Sequence, residues 1–252
     1  MVKYRTALVT GASSGIGAAF ARELAARGSD LVVVARRSGR LEQLARELHS
    51  DYGIAVEVLP ADLADPSGLA SVEARAAAGV DLLVNNAGIG TGGRFSELPV
   101  DGEEREVRIN VLAVLRLTAA ALPGMIARRH GGIVNVSSVA GFQALPGSAT
   151  YAVSKAFVTS FTESLAGETH GTGVHVTVVS PGFTRTTMIG EGTSVPGFLL
   201  LEADRVARAA LDTVERGRPM VVPGTQWKAI ATGTRHLPRP LLRAFTRRLQ
   251  PG

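Results

Sequence analysis

Tyr151 and Lys155 stand four residues apart in a stretch, Thr150 to Thr169, whose apolar spacing predicts a helix. On a helix that interval sends both side chains off one face, a single turn apart. An ammonium beside a phenol favours the phenolate, so the Tyr151 pKa is expected to fall from its reference near ~10. Such a phenol can give or take a proton near neutral pH. Alone, a Tyr and a Lys at this spacing are structural more often than not, because helices carry many such pairs. A second candidate chemistry lies near the N-terminus, in Thr10-Gly11-Ala12-Ser13-Ser14-Gly15-Ile16-Gly17. Glycines between an apolar run and a helical pattern let the backbone turn tightly and approach a pyrophosphate, which the free N–H groups of the helix N-terminus then stabilise.

These residues need a scaffold, and the rest of the chain reads as one. Short apolar runs predict strands over Arg5–Thr10, Asp30–Val34, Ala55–Leu59, Asp81–Val84, Gly132–Val136 and Val174–Ser180. Between them helical periods cover Gly15–Arg27, Arg40–His49, Pro66–Ala78, one long helix over Asp101–Arg129, and Thr150–Thr169. The strand runs are Val-, Leu- and Ile-rich without polar alternation, which implies burial on both faces. Repeated βα units imply an α/β fold, a Rossmann-type doubly wound parallel sheet with helices on both faces. No linker or repeat divides residues 1–252, so a single domain is expected. From Pro181 to Phe198 the chain reads as an irregular loop, followed by a helix over Ala203–Arg216 and a strand near Met220–Val222. Residues 225–252 form a basic, amphipathic, largely helical extension broken by Pro238 and Pro240.

Further motifs follow in order. Asp62 comes after the third strand, Asn85-Asn86-Ala87-Gly88 after the fourth, Asn110 in the long helix, Ser138 after the fifth strand, then Tyr151-x-x-x-Lys155, and Pro181-Gly182 at the end of the sixth. With the Thr10–Gly17 turn, this ordered set resembles the short-chain dehydrogenases/reductases in their single-domain form, over roughly Lys3 to Val222. The resemblance implies hydride transfer between a nicotinamide cofactor and a carbonyl or alcohol carbon. It assigns catalysis to Asn110, Ser138, Tyr151 and Lys155: Ser138 orients the substrate oxygen, Asn110 holds a relay water, and Lys155 also binds the ribose. The neighbouring Ser137 is the competing serine, and the thirteen-residue interval to Tyr151 favours Ser138. For the cofactor it implies Gly11, Ser13, Ser14, Gly15, Ile16 and Gly17 along the pyrophosphate, and Asp62 with Leu63 at the adenine. Asn86, Ala87 and Gly88 follow, and Pro181, Gly182, Phe183, Thr184 and Thr186 lie toward the nicotinamide.

The second strand ends in Ala35-Arg36-Arg37, with no acid for a ribose 2′-OH and two planar cations suited to a phosphate. NADP(H) is therefore expected over NAD(H), although Ser13 and Ser14 stand where many NADPH-preferring relatives carry a basic residue. Phe95, Phe142, Leu145, Phe183, Met188 and Phe198 are the candidate substrate-lining residues, and they suit an apolar ketone or alcohol. Arg94 and Arg185 in the same loops are expected to face solvent.

Bulk composition narrows the alternatives. The 252 residues are 45% hydrophobic and 19% charged, a globular profile with net charge +5. Cys is absent and the five His are scattered, so no metal centre is expected. Met1–Arg5 is short and polar, and Arg116 interrupts the longest apolar helix, so neither a targeting segment nor a membrane span is expected and the location is read as cytoplasmic. Nucleic-acid binding is disfavoured, because the basic excess lies in the tail with few aromatics to stack on bases. A non-catalytic NADP(H)-binding sensor on the same fold is the main rival, but it would be expected to have lost Ser138, Tyr151 or Lys155. Apolar excess on the Thr150 helix (Ala152, Ala156, Phe157, Val158, Phe161) points to a homodimer or homotetramer. In the tail, Leu241, Leu242, Phe245 and Leu249 share one helical face beside Arg243, Arg247 and Arg248. That helix either docks on its own domain over the substrate loop, the favoured option, or makes peripheral contact with an anionic membrane.

Overall fold

The computed structural model describes residues 3–186 and 195–236. Seven parallel strands form one sheet: β1 (Thr6–Thr10), β2 (Asp30–Ala35), β3 (Val56–Pro60), β4 (Leu82–Asn85), β5 (Gly131–Val136), β6 (Val174–Val179) and β7 (Met220–Val221), in the order β3-β2-β1-β4-β5-β6-β7. The order reverses between β1 and β4, and that switch point opens a crevice beyond the strand C-termini.

Both faces of the sheet are covered, and strand alternation supplies each. Ala7, Val9, Leu31 and Val33 point to one side, where they meet α1 (Gly15–Ala26), α2 (Ser38–Tyr52) and α7 (Ala203–Glu215) through Phe20, Leu24, Leu41, Val206 and Leu211. Leu8, Val32 and Val34 point to the other, against α3 (Pro66–Ala77), α5 (Ala113–Ala127) and α6 (Ala149–Glu168) through Leu69, Val72, Leu117, Met125 and Leu165. Each such fully buried side chain contributes about 1.5–3 kcal/mol. A buried polar chain ties the second layer down. Asn85 Nδ2 donates to Asn135 Oδ1 (2.9 Å) and Thr118 Oγ1 (3.2 Å), and Asn135 Nδ2 donates to Thr162 Oγ1 (2.9 Å). Asn85, read above with the Asn-Asn-Ala-Gly motif, is thus a core residue joining β4 and β5 to α5 and α6.

The long helix expected over Asp101–Arg129 is interrupted. α4 (Val100–Val107) passes through a π turn, Arg108–Leu112, before α5 begins, so the hydrogen-bond ladder changes register at Asn110. The expectation that no segment approaches a membrane span also needs correction. By length and composition alone the run Val100–Ala127 qualifies, with a mean hydropathy of 1.7 in its most apolar window, Arg116 notwithstanding. Its α5 portion instead buries Ala113, Leu117, Ala121 and Met125 against the sheet.

Candidate active site

The glycine-rich turn leaves β1 and enters α1 with Gly11 and Gly15 in the left-handed region, at φ 68° and 56°. A Cβ at Gly17 would stand 2.2 Å from the Gly11 carbonyl oxygen and 2.5 Å from Asn86 Nδ2, so the turn closes only around glycine. The capping residue Ser14 makes no side-chain cap bond and the first turn of α1 carries no acid, leaving its leading amides free for an anion. Thr10 braces the neighbouring loop: its hydroxyl accepts from the Asn86 amide (2.9 Å) and the Ala87 amide (3.0 Å), while Asn86 Nδ2 donates to the Thr10 carbonyl (2.8 Å). Thr186 closes on the turn from the far side, 3.0 Å from where a Gly15 Cβ would lie. Ser13, Ser14 and Ile16 are half-buried along this cradle. The cradle's shape and its free amides fit a dinucleotide pyrophosphate.

Arg36 and Arg37 emerge exposed from the end of β2. Asp62 is already engaged: one carboxylate oxygen accepts from Arg105 (2.6 Å) and the other from the Ala64 amide (3.0 Å). Burial pushes this carboxyl up, but Arg105, the Ala64 amide and the field of Arg36 outweigh it and hold it below the usual range. Leu63, beside it, is buried. Arg105 has no counterpart in the sequence reading, because only folding brings α4 to the end of β3.

At the end of β5 the two serines separate. Ser137 is buried and bonds the Lys155 carbonyl (2.7 Å) and the Thr159 hydroxyl (2.8 Å), so it staples β5 to α6. Ser138 instead is half-buried, accepts from the Ala140 amide (3.1 Å) and stands close enough to the Tyr151 phenol to act on it. Lys155 Nζ is buried, donates to the Val136 carbonyl (3.0 Å) and lies 5.7 Å from the centre of the Tyr151 ring. Gly141 lets the turn after Ser138 close on α6, since a Cβ there would stand 2.7 Å from the Lys155 carbonyl carbon.

The electrostatics differ from expectation. Burial raises the Tyr151 phenol above its ordinary value, the Ser138 hydroxyl opposes this, and the Glu106 carboxylate adds to it. The anticipated lowering by Lys155 is not found among the causes of that shift, and burial pushes the Lys155 ammonium itself down to about 8, against the pull of Glu106. The Asn110 side chain is committed to protein: Oδ1 accepts from the Ile89 amide (3.0 Å), and Nδ2 donates to the Ile89 carbonyl (2.8 Å) and the Ser154 hydroxyl (3.0 Å).

Pro181 and Gly182 follow β6, and a Cβ at Gly182 would overlap the Trp227 indole at 2.0 Å. Trp227, on α8 (Thr225–His236), is buried, meets Phe183 edge-on at 5.6 Å between centroids, and donates to the Leu199 carbonyl (2.8 Å). Gln226 bonds the Phe198 carbonyl (3.1 Å). The start of the tail therefore docks on the substrate-side loop, and Thr184 pairs with Leu201 beneath it. Phe142 and Leu145 are half-buried, whereas Phe95 and Phe198 are 64% and 73% exposed, so these side chains do not yet enclose a pocket. Arg185 pairs with Glu202 (2.8 Å). Met188 and the tail residues Leu241, Leu242, Phe245 and Leu249 lie outside the described residues.

A family model described as short chain dehydrogenase matches residues 5–194. The chain belongs to the short-chain dehydrogenase/reductase family of oxidoreductases. An uncharacterized oxidoreductase of Myxococcus xanthus is 36% identical over 99% of both chains. Among solved structures, a short-chain dehydrogenase from Sphingobium yanoikuyae in complex with NADPH is 38% identical, covers 90% of this chain and 92% of its own, and superposes with a TM-score of 0.83. A bulky-bulky ketone specific alcohol dehydrogenase from Comamonas testosteroni is 33% identical over 92% of both chains, with a TM-score of 0.81.

Proposed function

We propose that this short-chain dehydrogenase/reductase is an NADP(H)-dependent ketone reductase or secondary-alcohol dehydrogenase. One observation carries the reading: the Ser138 hydroxyl stands beside the Tyr151 phenol at the C-terminal edge of the sheet, with Lys155 Nζ buried 5.7 Å from the centre of the ring. The nicotinamide supplies or accepts the hydride when bound. Ser138 and Tyr151 would converge on the substrate oxygen, Ser138 orienting it and Tyr151 giving it a proton in reduction. A phenol held above its ordinary pKa is fully protonated at neutral pH, which suits the donor role. The negative charge then left on the Tyr151 oxygen is stabilised by the Lys155 ammonium, which is itself buried.

The cradle from Gly11 to Gly17 would hold the pyrophosphate, Asp62 and Leu63 the adenine edge, and Asn86 to Gly88 the adjoining ribose. Lys155 would bind the nicotinamide ribose, and Pro181 to Thr186 the nicotinamide carboxamide side. Exposed Arg36 and Arg37 at an acid-free strand end support a 2′-phosphate, as does the NADPH in the Sphingobium relative. For the substrate we infer a ketone with apolar substituents, facing Phe95, Phe142, Leu145, Phe183 and Phe198. The Comamonas relative's bulky-bulky ketone specificity favours large groups on both sides of the carbonyl. Consumption of NADPH against a panel of ketones and aldehydes tests the reading, and absence of turnover across the panel overturns it.

A homo-oligomer is proposed on the apolar face left by α4 to α6, where Val153 is 70% exposed and Val107, Leu112 and Leu115 are also exposed. Light scattering at micromolar concentration should report a dimer or tetramer, and a monomer would exclude it.

A further inference from the structure

Glu106 has no exposed surface, yet it carries a carboxylate. It lies on α4, one helical turn before Asn110. Its Oε2 accepts from the Thr91 amide (2.9 Å) and the Thr91 hydroxyl (2.6 Å), and its Oε1 takes a long contact from Asn110 Nδ2 (3.4 Å). These partners are neutral, and a buried anion is costly unless a cation answers it. Lys155 is in the complementary position. It is a buried cation whose Nζ donates to a carbonyl, and among the described residues no carboxylate lies within 4.0 Å of it. Gly88 lies against both Asn110 Oδ1 and Lys155 Nζ: a Cβ there would stand 3.2 and 3.3 Å from them. The loop that Thr91 belongs to also supports the phenol, because a Cβ at Gly90 would meet the Tyr151 ring at 3.1 Å.

We infer that Glu106 is a positioning residue of this site: its carboxylate supplies the negative charge that balances the buried Lys155 ammonium, and through Thr91 it holds Gly90 against the Tyr151 ring. The inference rests on reading Tyr151 and Lys155 as the proton-transfer pair. Two roles are thereby joined in one side chain, a charge and a clamp, and the conservative variants separate them. Glu106→Gln keeps an oxygen to accept from Thr91 but removes the charge. Glu106→Asp keeps the charge and shortens the reach.

The titratable groups facing the carboxylate are Lys155 and Tyr151 on α6. Glu103, on α4 itself, accepts from the Thr150 hydroxyl. The loop after β4 presents Thr91 and backbone. The field of Glu106 raises the proton affinity of both Tyr151 and Lys155. Its loss should lower both, so Tyr151 ionises at lower pH.

The experiment follows phenolate formation by ultraviolet absorbance across alkaline pH in the full-length chain. Tyr151→Phe serves as the blank, because only three tyrosines are present. We expect the Tyr151 titration in Glu106→Gln to move about one unit toward acid. The high-pH limb of kcat/KM should move with it, while Glu106→Asp stays close to the parent. A Glu106→Gln titration superposing on the parent would leave only a hydrogen-bonding staple and overturn the inference, whatever happens to turnover. If the Gln variant does not fold by circular dichroism, Glu106→Met, of similar length and uncharged, takes its place under the same two outcomes. The absorbance titration needs no substrate, so a moved titration in a chain that reduces no carbonyl upholds the Glu106 inference and sinks the proposed activity alone.

Discussion

The two ends of the crevice are built to different tolerances. At the nucleotide end, Gly11, Gly17, Asn86 and Thr10 interlock at contact distances that admit no additional carbon, and the first amides of α1 stand ready for an anion. At the substrate end, Phe95 and Phe198 stand largely in solvent and Phe183 is about half exposed, on loops held by a few hydrogen bonds such as those from Gln226 and Trp227. Contacts between backbone atoms cannot adjust, whereas exposed side chains on loops can be replaced without disturbing the sheet. The contrast separates a nucleotide cradle fixed at the rigid strand ends from the loops on which the proposed substrate choice would rest. Tyr151, Ser138 and Lys155 lie at the seam.

The largest effect should come at the seam. Tyr151→Phe removes only the hydroxyl proposed as the proton donor, so turnover should fall by about 10²–10⁴-fold while NADPH affinity, followed by fluorescence titration, stays within error. A variant with near-normal kcat would break the division of labour. Next, Gly17→Val forces a side chain into the Gly11 carbonyl. We expect NADPH binding to weaken by roughly 100-fold or more, against a reference of about 1.4 kcal/mol per decade. Retained affinity would show the cradle to be adjustable after all.

Lys155 gives a pH test of the seam. Its folded pKa, about 8, lies below its ordinary value of 10.5, so the folded chain binds fewer protons than the unfolded chain between those limits. Its contribution to stability is therefore complete above the ordinary value and is lost as pH falls toward 8. Urea denaturation of the parent and of Lys155→Met, measured from pH 7.5 to pH 10.5 (roughly the span set by that shift), should show the parent gaining relative to the variant by a few kcal/mol, an order-of-magnitude figure. A constant difference would mean that Lys155 is not desolvated.

Smaller still, Arg36→Asp should move the NADPH/NADH ratio of kcat/KM by about one to two orders of magnitude, since a charge-assisted bond is worth roughly 1.5–3 kcal/mol. Equal use of both cofactors by the parent would remove the premise. At the loop end, Phe198→Ala should leave Tm nearly unchanged, because exposed substitutions usually stay within about 0.5 kcal/mol, and should alter KM for bulky ketones only a few-fold. A large loss of stability would show that the substrate end is as tightly built as the nucleotide end.

Much of this was legible in the residues themselves. Strand runs without polar alternation foretold a sheet buried on both sides, and the Thr10–Gly17 turn and the Tyr151–Lys155 interval foretold two of the site's parts, because periodicity and glycine placement are local properties. The order of the motifs added Ser138 and Asn86. What stayed hidden depends on distance in space. Asn85 looks like a motif residue and is a core strut; Ser137 and Ser138 look alike, yet Ser137 is buried in a staple to α6 and Ser138 is only half-buried. Arg105 and Glu106 look like an ordinary charged turn of a surface helix, yet one seizes Asp62 and the other is sealed behind Thr91. The π turn at Asn110 leaves no mark in the hydrophobic period. The sign of the Tyr151 shift is the clearest case. The sequence by itself determined that an ammonium and a phenol share a helix face, but only the tertiary structure decided how much water each would lose, and desolvation outweighs their proximity.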